Sequence, residues 1–333
     1  MAYSEQVLKN ARARLEQRKS ARQRQQTQRR RAAYEALPQV AQIDKTLKQT
    51  AAKVIAASLG SSTDPAKALA EIKQENMTLQ AQRNDMLAQK GIHPADIDDA
   101  PFCSRCGDSG WQGERMCTCL KELCTLEQNK ELSDLLNIGD QSFERFQLQY
   151  YDDVADSRYG RSPRQNMEMI EKLCQNYAKG FGAGALKNLF FYGGTGLGKT
   201  FLSACIAKTV SQSGHSVVYD TAGNIFTQFE EQKFSRDADD VQQAREFTRK
   251  YLKCDLLIVD DLGSELTTPF VRAALYELIN TRLSEKRSTI ISSNYTIDEL
   301  RQRYTPQIAS RLEGEYEPLP FFGRDIRLVK KER

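Results

Sequence analysis

The chain has 333 residues, long enough for about two domains, of which one could bury a sizeable core. Its longest apolar runs, such as the one from Leu256 to Val259, fall far short of the roughly 18 residues that span a membrane. No apolar stretch follows the N-terminus, so we predict neither a secretory leader nor a membrane partner, and we expect a cytoplasmic protein. The net charge of +4 is modest, but it is unevenly placed along the chain.

A strongly basic segment opens the sequence. Residues 1–36 are rich in Arg, Gln and Ala and contain neither Pro nor Gly, which favours a helix with few apolar residues to bury. Between residues 5 and 31 only Glu5 and Glu16 offset the cations, which we therefore expect to be hardly neutralised and which are Lys9, Arg12, Arg14, Arg18, Lys19, Arg22, Arg24, Arg29, Arg30 and Arg31. We interpret residues 1–36 as a basic helical arm that adds salt-sensitive affinity for DNA or for an acidic protein surface. A solvated face without a partner is the alternative.

Two stripes of apolar residues at helical spacing follow the arm and predict a helical hairpin. The stripes consist of Val40, Ile43, Leu47, Val54 and Ile55 and, after Asp64-Pro65, of Leu69, Ile72, Leu79 and Met86. Packing within the chain is the simpler interpretation of both stripes, and a partner-binding face is the alternative. Residues 91–101 are predicted to be a linker and residues 120–137 a helix. We therefore expect a helical N-terminal domain over residues 37–137.

Four cysteines crowd together after the linker. Cys103 and Cys106 are separated by two residues, and Cys117 and Cys119 by one. Four thiolates are enough for one tetrahedral Zn²⁺ site, and a long chain without a predicted leader favours metal over disulfides. Because the sequence has only two histidines, a structural zinc is favoured over a catalytic one, and we predict a zinc module at residues 101–124. The other cysteines are a reserve ligand, Cys124, and three predicted buried thiols, Cys174, Cys205 and Cys254.

A phosphate-binding motif lies in the C-terminal half. It matches the pattern G-x-x-x-x-G-K-[ST] and consists of Gly193, Gly194, Thr195, Gly196, Leu197, Gly198, Lys199 and Thr200. A predicted strand over residues 188–192 precedes it and a predicted helix over residues 199–211 follows it, as the motif requires. We expect backbone N–H groups of this loop to bind the phosphates of ATP, Lys199 to reach the β- and γ-phosphates, and the Thr200 hydroxyl to bind Mg²⁺.

Polar residues end two further predicted strands. The apolar run from Leu256 to Val259 ends in Asp260 and Asp261. We predict that Asp260 binds Mg²⁺ and that Asp261 polarises the attacking water. Residues 288–293 form another apolar strand, which ends in Asn294, and we predict that this side chain orients water or contacts the γ-phosphate.

Two arginines downstream are candidates for stabilising negative charge. Arg311 follows a short predicted helix, and we predict that it acts on the ATP of a neighbouring copy, which implies self-association through the ATPase domain. Arg327 is predicted to contact nucleotide in its own chain. A surface ion pair is the alternative for each arginine.

The C-terminal half is predicted to be an α/β domain. From residue 188 onward, strand-like runs alternate with helical segments, which indicates a parallel sheet covered by helices. We place this ATPase domain at residues 138–333, with its boundary near Asn137. The order of phosphate loop, acidic strand, polar sensor and candidate arginine finger resembles that of the AAA+ P-loop ATPases.

The chain as a whole resembles the bacterial replicative-helicase loaders of the DnaI and DnaC type. Four features carry the resemblance: the helical N-terminal region, the cysteine motif from Cys103 to Gly110 with Cys117 and Cys119, the segment from Ser142 to Phe146, and the acidic strand end from Asp260 to Gly263. The resemblance implies an N-terminal region that binds a hexameric replicative helicase and an ATPase domain that binds ATP and single-stranded DNA. It further implies ATP-dependent loading of that helicase during initiation or restart of DNA replication.

A second function is compatible with the same ATPase motifs. Transposition helper proteins of the IstB type and initiator ATPases share these motifs, so the alternative is an IstB-like ATP-binding helper of a transposase. The cysteine module favours the loader, whereas the long basic arm departs from the loader pattern. An adjacent transposase gene would favour the helper, and adjacent replication genes would favour the loader.

Overall fold

The computed structural model describes residues 3–59, 65–136, 141–183, 188–234 and 248–332. The chain divides into two compact units, one of residues 13–119 and one of residues 1–12 together with residues 120–333. This division lies near the start of the helix that begins at Thr118. The predicted domain boundary lies at the other end of the same helix. The predicted domain limits, with their boundary at Asn137 outside the described residues, stay a prediction.

The N-terminal unit is mainly helical. Its elements are α1 (Glu5–Ala36), which begins in the other unit, α2 (Pro38–Leu59), α3 (Pro65–Gln89), α4 (Pro94–Ile97) and a two-stranded hairpin of β1 (Trp111–Gln112) and β2 (Arg115–Met116). Helices α2 and α3 pack against each other, which confirms the predicted helical hairpin. Ala33, Val40, Leu87 and Ile97 form a small buried core. Of the residues that predicted the hairpin, Asp64 lies outside the described residues.

Several arginines of the basic arm have partners within the same unit. The Arg22 Nε donates to the Ala100 carbonyl at 3.0 Å, and the Arg30 Nε donates to the Ile97 carbonyl at 2.8 Å. Arg29 forms an ion pair with Asp96. Arg30 also forms an ion pair with Asp99. The expectation that hardly any cation of the arm is neutralised is therefore wrong for Arg29 and Arg30. The segment predicted to be a linker supplies their partners and contains α4.

The second unit contains the α/β fold. Its elements are α5 (Thr118–Leu136), two 3-10 turns (Phe143–Arg145 and Leu148–Tyr150), α6 (Pro163–Lys179), β3 (Leu189–Gly193), α7 (Lys199–Gln212), β4 (Val217–Thr221), α8 (Ala222–Phe234), helical residues 248–253, β5 (Leu256–Leu262), α9 (Pro269–Ser284), β6 (Ser288–Ser293), α10 (Ile297–Arg303), α11 (Pro306–Glu315), β7 (Glu317–Phe321) and α12 (Ile326–Lys331). The first residues of α5, up to residue 119, are grouped with the N-terminal unit.

The five strands form one parallel sheet in the order β4-β5-β6-β3-β7. The strand that leads into the phosphate loop, β3, is therefore separated from the acidic strand, β5, by β6, which Asn294 follows directly. Because all strands are parallel, their carboxyl ends meet at one edge, where ligands of open α/β sheets bind. A P-loop strand inserted into the sheet in this way is the AAA+ arrangement, and the predicted fold class is confirmed.

Each face of the sheet has its own hydrophobic core. Phe191 and Ile258 pack into one core, and their neighbours Phe190 and Leu257 pack into the other. Successive residues of a strand point to opposite faces, so a strand covered on both sides is apolar throughout. This packing explains the uninterrupted apolar runs that predicted the strands.

Helix α5 covers the β4 edge of the sheet. Its buried Gln128 donates to the Ser211 hydroxyl at 2.6 Å and to the His215 carbonyl at 2.9 Å, and accepts from the Val217 N–H at 2.9 Å. One amide side chain therefore satisfies backbone groups that an edge strand would otherwise expose. Among the described helices, none has the length and apolar character needed to cross a bilayer.

Candidate nucleotide-binding site

The phosphate loop turns sharply between β3 and α7, and its glycines make the turn possible. Gly193, Gly196 and Gly198 all have positive φ angles, of 138°, 71° and 96°. A side chain on Gly193 would overlap the Phe321 carbonyl, and one on Gly196 would overlap the carboxylate of Asp325. Only glycine combines these angles with such close neighbours. Because the loop leads into the N-terminus of α7, it presents backbone N–H groups where an anion can bind.

A cleft of about 960 Å³ opens above the carboxyl ends of the strands in this unit. It is lined by Gln141, Arg145, Phe146, Gln147, Tyr150, Tyr151, Thr195, Gly196, Leu197, Gly198, Lys199, Thr200, Phe201, Thr221, Asp260, Asp261, Ser292, Asn294, Ile326, Arg327 and Lys330. The structure thus brings together most residues that were predicted to contact nucleotide, although their roles stay predictions. The volume of the cleft is that of a typical small-molecule pocket.

Lys199 is held inside this cleft by neutral oxygens. Its Nζ donates to the carbonyls of Gly193 and Gly194, at 2.6 and 2.7 Å, and to the Asn294 Oδ1 at 2.8 Å. Burial lowers the pKa of Lys199 to about 8, although the nearby carboxylates of Asp260 and Asp261 oppose this shift. Within the described part of the chain, Lys199 has no direct anionic partner, which suits it to receive a phosphate group.

Asp260 lies near the carboxyl end of β5 among three hydroxyl groups. The Thr200 hydroxyl donates to the Asp260 Oδ2 at 3.0 Å, and the Tyr219 hydroxyl donates to the same oxygen. The Ser292 hydroxyl donates to the other oxygen, Oδ1. Burial and the Asp260 charge raise the pKa of Tyr219, so its hydroxyl stays protonated and remains a donor. Thr200 and Asp260, the predicted magnesium ligands, are thus in direct contact and supply the oxygen atoms that Mg²⁺ prefers.

A bulge in β5 explains how two consecutive acids line the same cleft. Successive side chains of a regular strand point to opposite faces, so Asp260 and Asp261 would separate. The pairing of β5 with β6 instead shifts register between Val259 and Leu262, and Asp261 takes a left-handed φ of 57°. The Asn294 Nδ2 donates to the Asp261 Oδ1 at 2.8 Å. The predicted sensor and the predicted water-polarising acid are therefore hydrogen-bonded.

Comparison with known proteins identifies the domain around this cleft. The family model described as "IstB-like ATP binding protein" matches residues 147–310, which contain the phosphate loop, both acids and Asn294. This segment, called the IstB-like domain below, is similar to that family over slightly less than half of the chain.

Replication proteins are among the relatives of the IstB-like domain. The replicative helicase loader DnaI of Bacillus subtilis is 30% identical over 125 residues, which cover 36% of this chain and 37% of DnaI. The chromosomal replication initiator protein DnaA of Aliarcobacter butzleri is 29% identical over 155 residues, which cover 43% of this chain and 32% of DnaA. A solved structure of the DnaC helicase loader matches with 22% identity and a TM-score of 0.42, covering 52% of this chain and 99% of that one. The resemblance to DnaI-type proteins is confirmed for this domain. The chain spans about a third of the length of the curated relatives it matches.

The two candidate arginines lie in different places. Arg327, on α12, lines the cleft of the IstB-like domain, and its charge helps to lower the Lys199 pKa. Arg311 was expected to follow a short helix, but it lies within α11. It lines a separate cavity with Tyr276 and Gln307, and it is absent from the residues that line the nucleotide cleft among those described. The structure therefore does not bring Arg311 to the cleft of its own chain.

Sequence reasoning missed several residues that complete the cleft. The Tyr151 hydroxyl donates to the Leu197 carbonyl of the phosphate loop at 2.9 Å, and Lys330 lies 4.9 Å from the ring centroid of Tyr150. Arg145 adds another cation to the lining. The segment from Ser142 to Phe146 contributes to the family resemblance, but it predicted no contact with the phosphate loop, and no local motif indicates Lys330. Their contribution depends on how distant segments fold over the loop.

The four cysteines of the zinc module converge in the N-terminal unit. Their sulfur atoms all lie within 4.8 Å of one another, with 3.7 Å between Cys103 and Cys117 and 3.5 Å between Cys106 and Cys119. Zn–S bonds of about 2.3 Å in a tetrahedron place sulfur atoms about 3.8 Å apart, so the cluster fits zinc. Cys124 is buried in α5 and does not belong to this cluster.

A buried aspartate orders the turn that carries the first two cysteines. The Asp108 carboxylate accepts hydrogen bonds from the N–H groups of Phe102 and Cys103, at 2.8 and 2.7 Å. The Gly107 N–H donates to the Cys103 carbonyl at 2.9 Å. These bonds order the backbone around Cys103, and four converging cysteine sulfur atoms are what a structural zinc site requires.

Proposed function

We propose that this protein is an ATP-dependent loader that delivers a hexameric replicative helicase to single-stranded DNA. The observation that carries the proposal is the cleft of an IstB-like domain in which Lys199, Thr200, Asp260, Asp261 and Asn294 converge. The likeness of this domain to a replicative helicase loader supports the choice of partner. Hydrolysis of ATP, binding of single-stranded DNA and self-association are parts of this proposal.

The residues of the cleft are suited to bind and hydrolyse ATP. Backbone N–H groups of the loop and Lys199 would bind the phosphates, while Thr200 and Asp260 would hold Mg²⁺. The metal, when bound, would neutralise charge on the phosphate oxygens. Asp261, oriented by Asn294, would accept a proton from the attacking water.

Binding and hydrolysis are proposed to control a conformational change and not to supply a phosphoryl group to a second substrate. Among the described residues, the cleft contains a single set of catalytic candidates, all of which serve the nucleotide. A change driven by ATP requires a partner that binds the ATP and ADP states with different affinity. We propose that the helical unit with its zinc module is the platform for that partner.

Helicase unwinding of a DNA substrate that the enzyme cannot enter unaided tests this function. Wild-type protein should stimulate unwinding, and Lys199→Ala should not, because it weakens nucleotide binding. Asp261→Asn should bind ATP, deliver the helicase once, and fail to recycle. Equal stimulation by wild type and Lys199→Ala would contradict nucleotide control of loading.

A transposition helper is the second candidate, because the matching family model carries the IstB-like description. A pull-down from native extract with the full chain separates the two. Recovery of a replicative helicase supports the loader. If wild-type protein fails to stimulate its cognate helicase and instead retains a transposase, the helper function replaces the proposal.

A further inference from the structure

The three hydroxyl groups around Asp260 come from three different elements and differ in exposure. Thr200 belongs to the phosphate loop and α7 and is exposed in the cleft. Tyr219 belongs to β4 and Ser292 to β6, and their exposed fractions are only 9% and 1%. Thr200 can therefore exchange its contact with Asp260 for a metal ion, whereas the two buried hydroxyl groups are held by the sheet.

The Tyr219 and Thr200 hydroxyl groups share one carboxylate oxygen. Both donate to the Asp260 Oδ2, and each carboxylate oxygen has two acceptor sites. Release of Thr200 would leave one of these sites open toward the cleft, while Tyr219 would still fix the orientation of the carboxylate. The open site is where a divalent cation shared with Thr200 would bind.

Ser292 links Asp260 to the bulge that carries Asp261. Its hydroxyl accepts from the Asp261 N–H at 3.0 Å and donates to the Asp260 Oδ1. The same oxygen atom thus holds the backbone of one acid and the side chain of the other. Since Asp261 has a left-handed backbone, this bond also supports the conformation that turns both acids into the cleft.

We propose that Tyr219 and Ser292 are positioning residues that set the magnesium affinity of the site by orienting Asp260. The inference rests on the proposed ATP function and assigns to two buried hydroxyl groups a role that no motif indicates. Partners that orient a metal-binding carboxylate typically change metal affinity by about 10- to 100-fold when removed. Tyr219 acts on Asp260 alone, whereas Ser292 acts on both acids.

Tyr219→Phe tests the proposal because it removes only the hydroxyl. Nucleotide binding is measured with a fluorescent ATP analogue across a series of Mg²⁺ concentrations and in EDTA. We expect the Mg²⁺ concentration at half-saturation to rise about tenfold, with nucleotide binding in EDTA unchanged. An unchanged Mg²⁺ dependence, or an equal loss of binding in EDTA, would overturn the proposal.

Tyr251→Phe is the matched control. The Tyr251 hydroxyl donates to the Asp220 carboxylate at 2.7 Å, so this variant also removes one tyrosine–aspartate hydrogen bond in the same unit. It should leave the Mg²⁺ dependence at the wild-type value. A shift equal to that of Tyr219→Phe would assign the effect to general destabilisation.

Ser292→Ala tests the role of Ser292 separately from that of Tyr219. It should raise the Mg²⁺ requirement and also lower hydrolysis at saturating Mg²⁺, because the Asp261 bulge loses its support. Ser292→Thr keeps the hydroxyl and should restore Mg²⁺ affinity at least partly. A wild-type protein that binds Mg²⁺–nucleotide but loads no helicase would remove the proposed loading function and leave this inference intact.

Discussion

Asp261 occupies a backbone conformation that few side chains tolerate. Its φ of 57° lies in the left-handed region. This backbone conformation is less stable by roughly 1–2 kcal/mol for most residues, and by less for Asn and Asp. The strain is placed at the residue predicted to polarise water, and the bulge aims that carboxylate at the cleft. Local strain of this kind is common at functional sites.

We predict that Asp261→Asn and Asp261→Ala both lose ATP hydrolysis but differ in stability. Asparagine tolerates the left-handed region, whereas alanine does not, so Asp261→Ala should unfold with a free energy about 1 kcal/mol lower than Asp261→Asn. Urea denaturation of the two variants measures this difference. Equal free energies of unfolding for the two variants would contradict backbone strain at Asp261. Hydrolysis at the wild-type rate by either variant would contradict the catalytic role of Asp261.

Lys199 predicts a pH dependence of nucleotide binding. With its pKa at about 8 in the free protein, Lys199 loses its charge as the pH rises above 8. Bound phosphate favours the charged form, so binding above this pH must take up a proton. We expect nucleotide affinity in EDTA to be constant below pH 8 and to fall by up to about tenfold per pH unit above it.

Titration of a fluorescent nucleotide between pH 7 and 9.5 measures this effect. Lys199→Arg is the control, because a guanidinium stays charged throughout that range. The fall in affinity should be absent from the arginine variant even if its affinity is lower overall. The same pH profile in both proteins would assign the titration to another group.

At the scale of elements, zinc binding by the zinc module can be tested directly by measuring the metal content of the protein. We predict one Zn²⁺ per chain, bound by Cys103, Cys106, Cys117 and Cys119, because their sulfur atoms all lie within 4.8 Å of one another. Elemental analysis of protein purified without chelator should give one equivalent. The double substitution of Cys103 and Cys106 by serine should abolish it and raise protease sensitivity of the N-terminal unit.

Cys124→Ala is the matched control for the zinc prediction. Cys124 is buried close in sequence to the module but lies outside the group of four sulfur atoms. This variant should retain a full equivalent of zinc. Retention of zinc by the serine double variant would instead remove the assignment of the ligands.

At the scale of the whole molecule, Arg311 raises the question of assembly. It lies on α11, apart from the residues that line the cleft of its own chain. We predict that it acts on the nucleotide of a neighbouring copy, so Arg311→Ala should bind ATP normally and hydrolyse it roughly 10³-fold more slowly. Mixing Arg311→Ala with Lys199→Ala chains should restore part of the hydrolysis, since one chain supplies the arginine and the other the nucleotide.

Arg301→Ala controls for the loss of a surface arginine. Arg301 makes exposed ion pairs with Asp298, at 2.8 Å, and with Glu313 of α11, and such pairs contribute little to stability. This variant should hydrolyse ATP at close to the wild-type rate. If the mixed chains regain no activity under conditions where wild type assembles, Arg311 does not act between subunits.

The sequence alone determined the fold class and the local motifs of this protein. The phosphate loop, the acid pair and Asn294 each lie at or near the carboxyl end of a buried strand. Short-range rules describe such segments well because each motif depends on neighbours in the chain. The cysteine spacing likewise predicted the cluster of four sulfur atoms. Since parallel strands end at one edge, their order along the chain was enough to bring these motifs together.

Only the tertiary structure decided how the cleft is completed and oriented. The bulge at Asp261 depends on the pairing of β5 with β6, and the hydroxyl groups of Tyr219 and Ser292 reach Asp260 from neighbouring strands. Lys330 enters the cleft from the C-terminal helix. These contacts join residues far apart in sequence and depend on register and packing, which no local pattern of residues encodes.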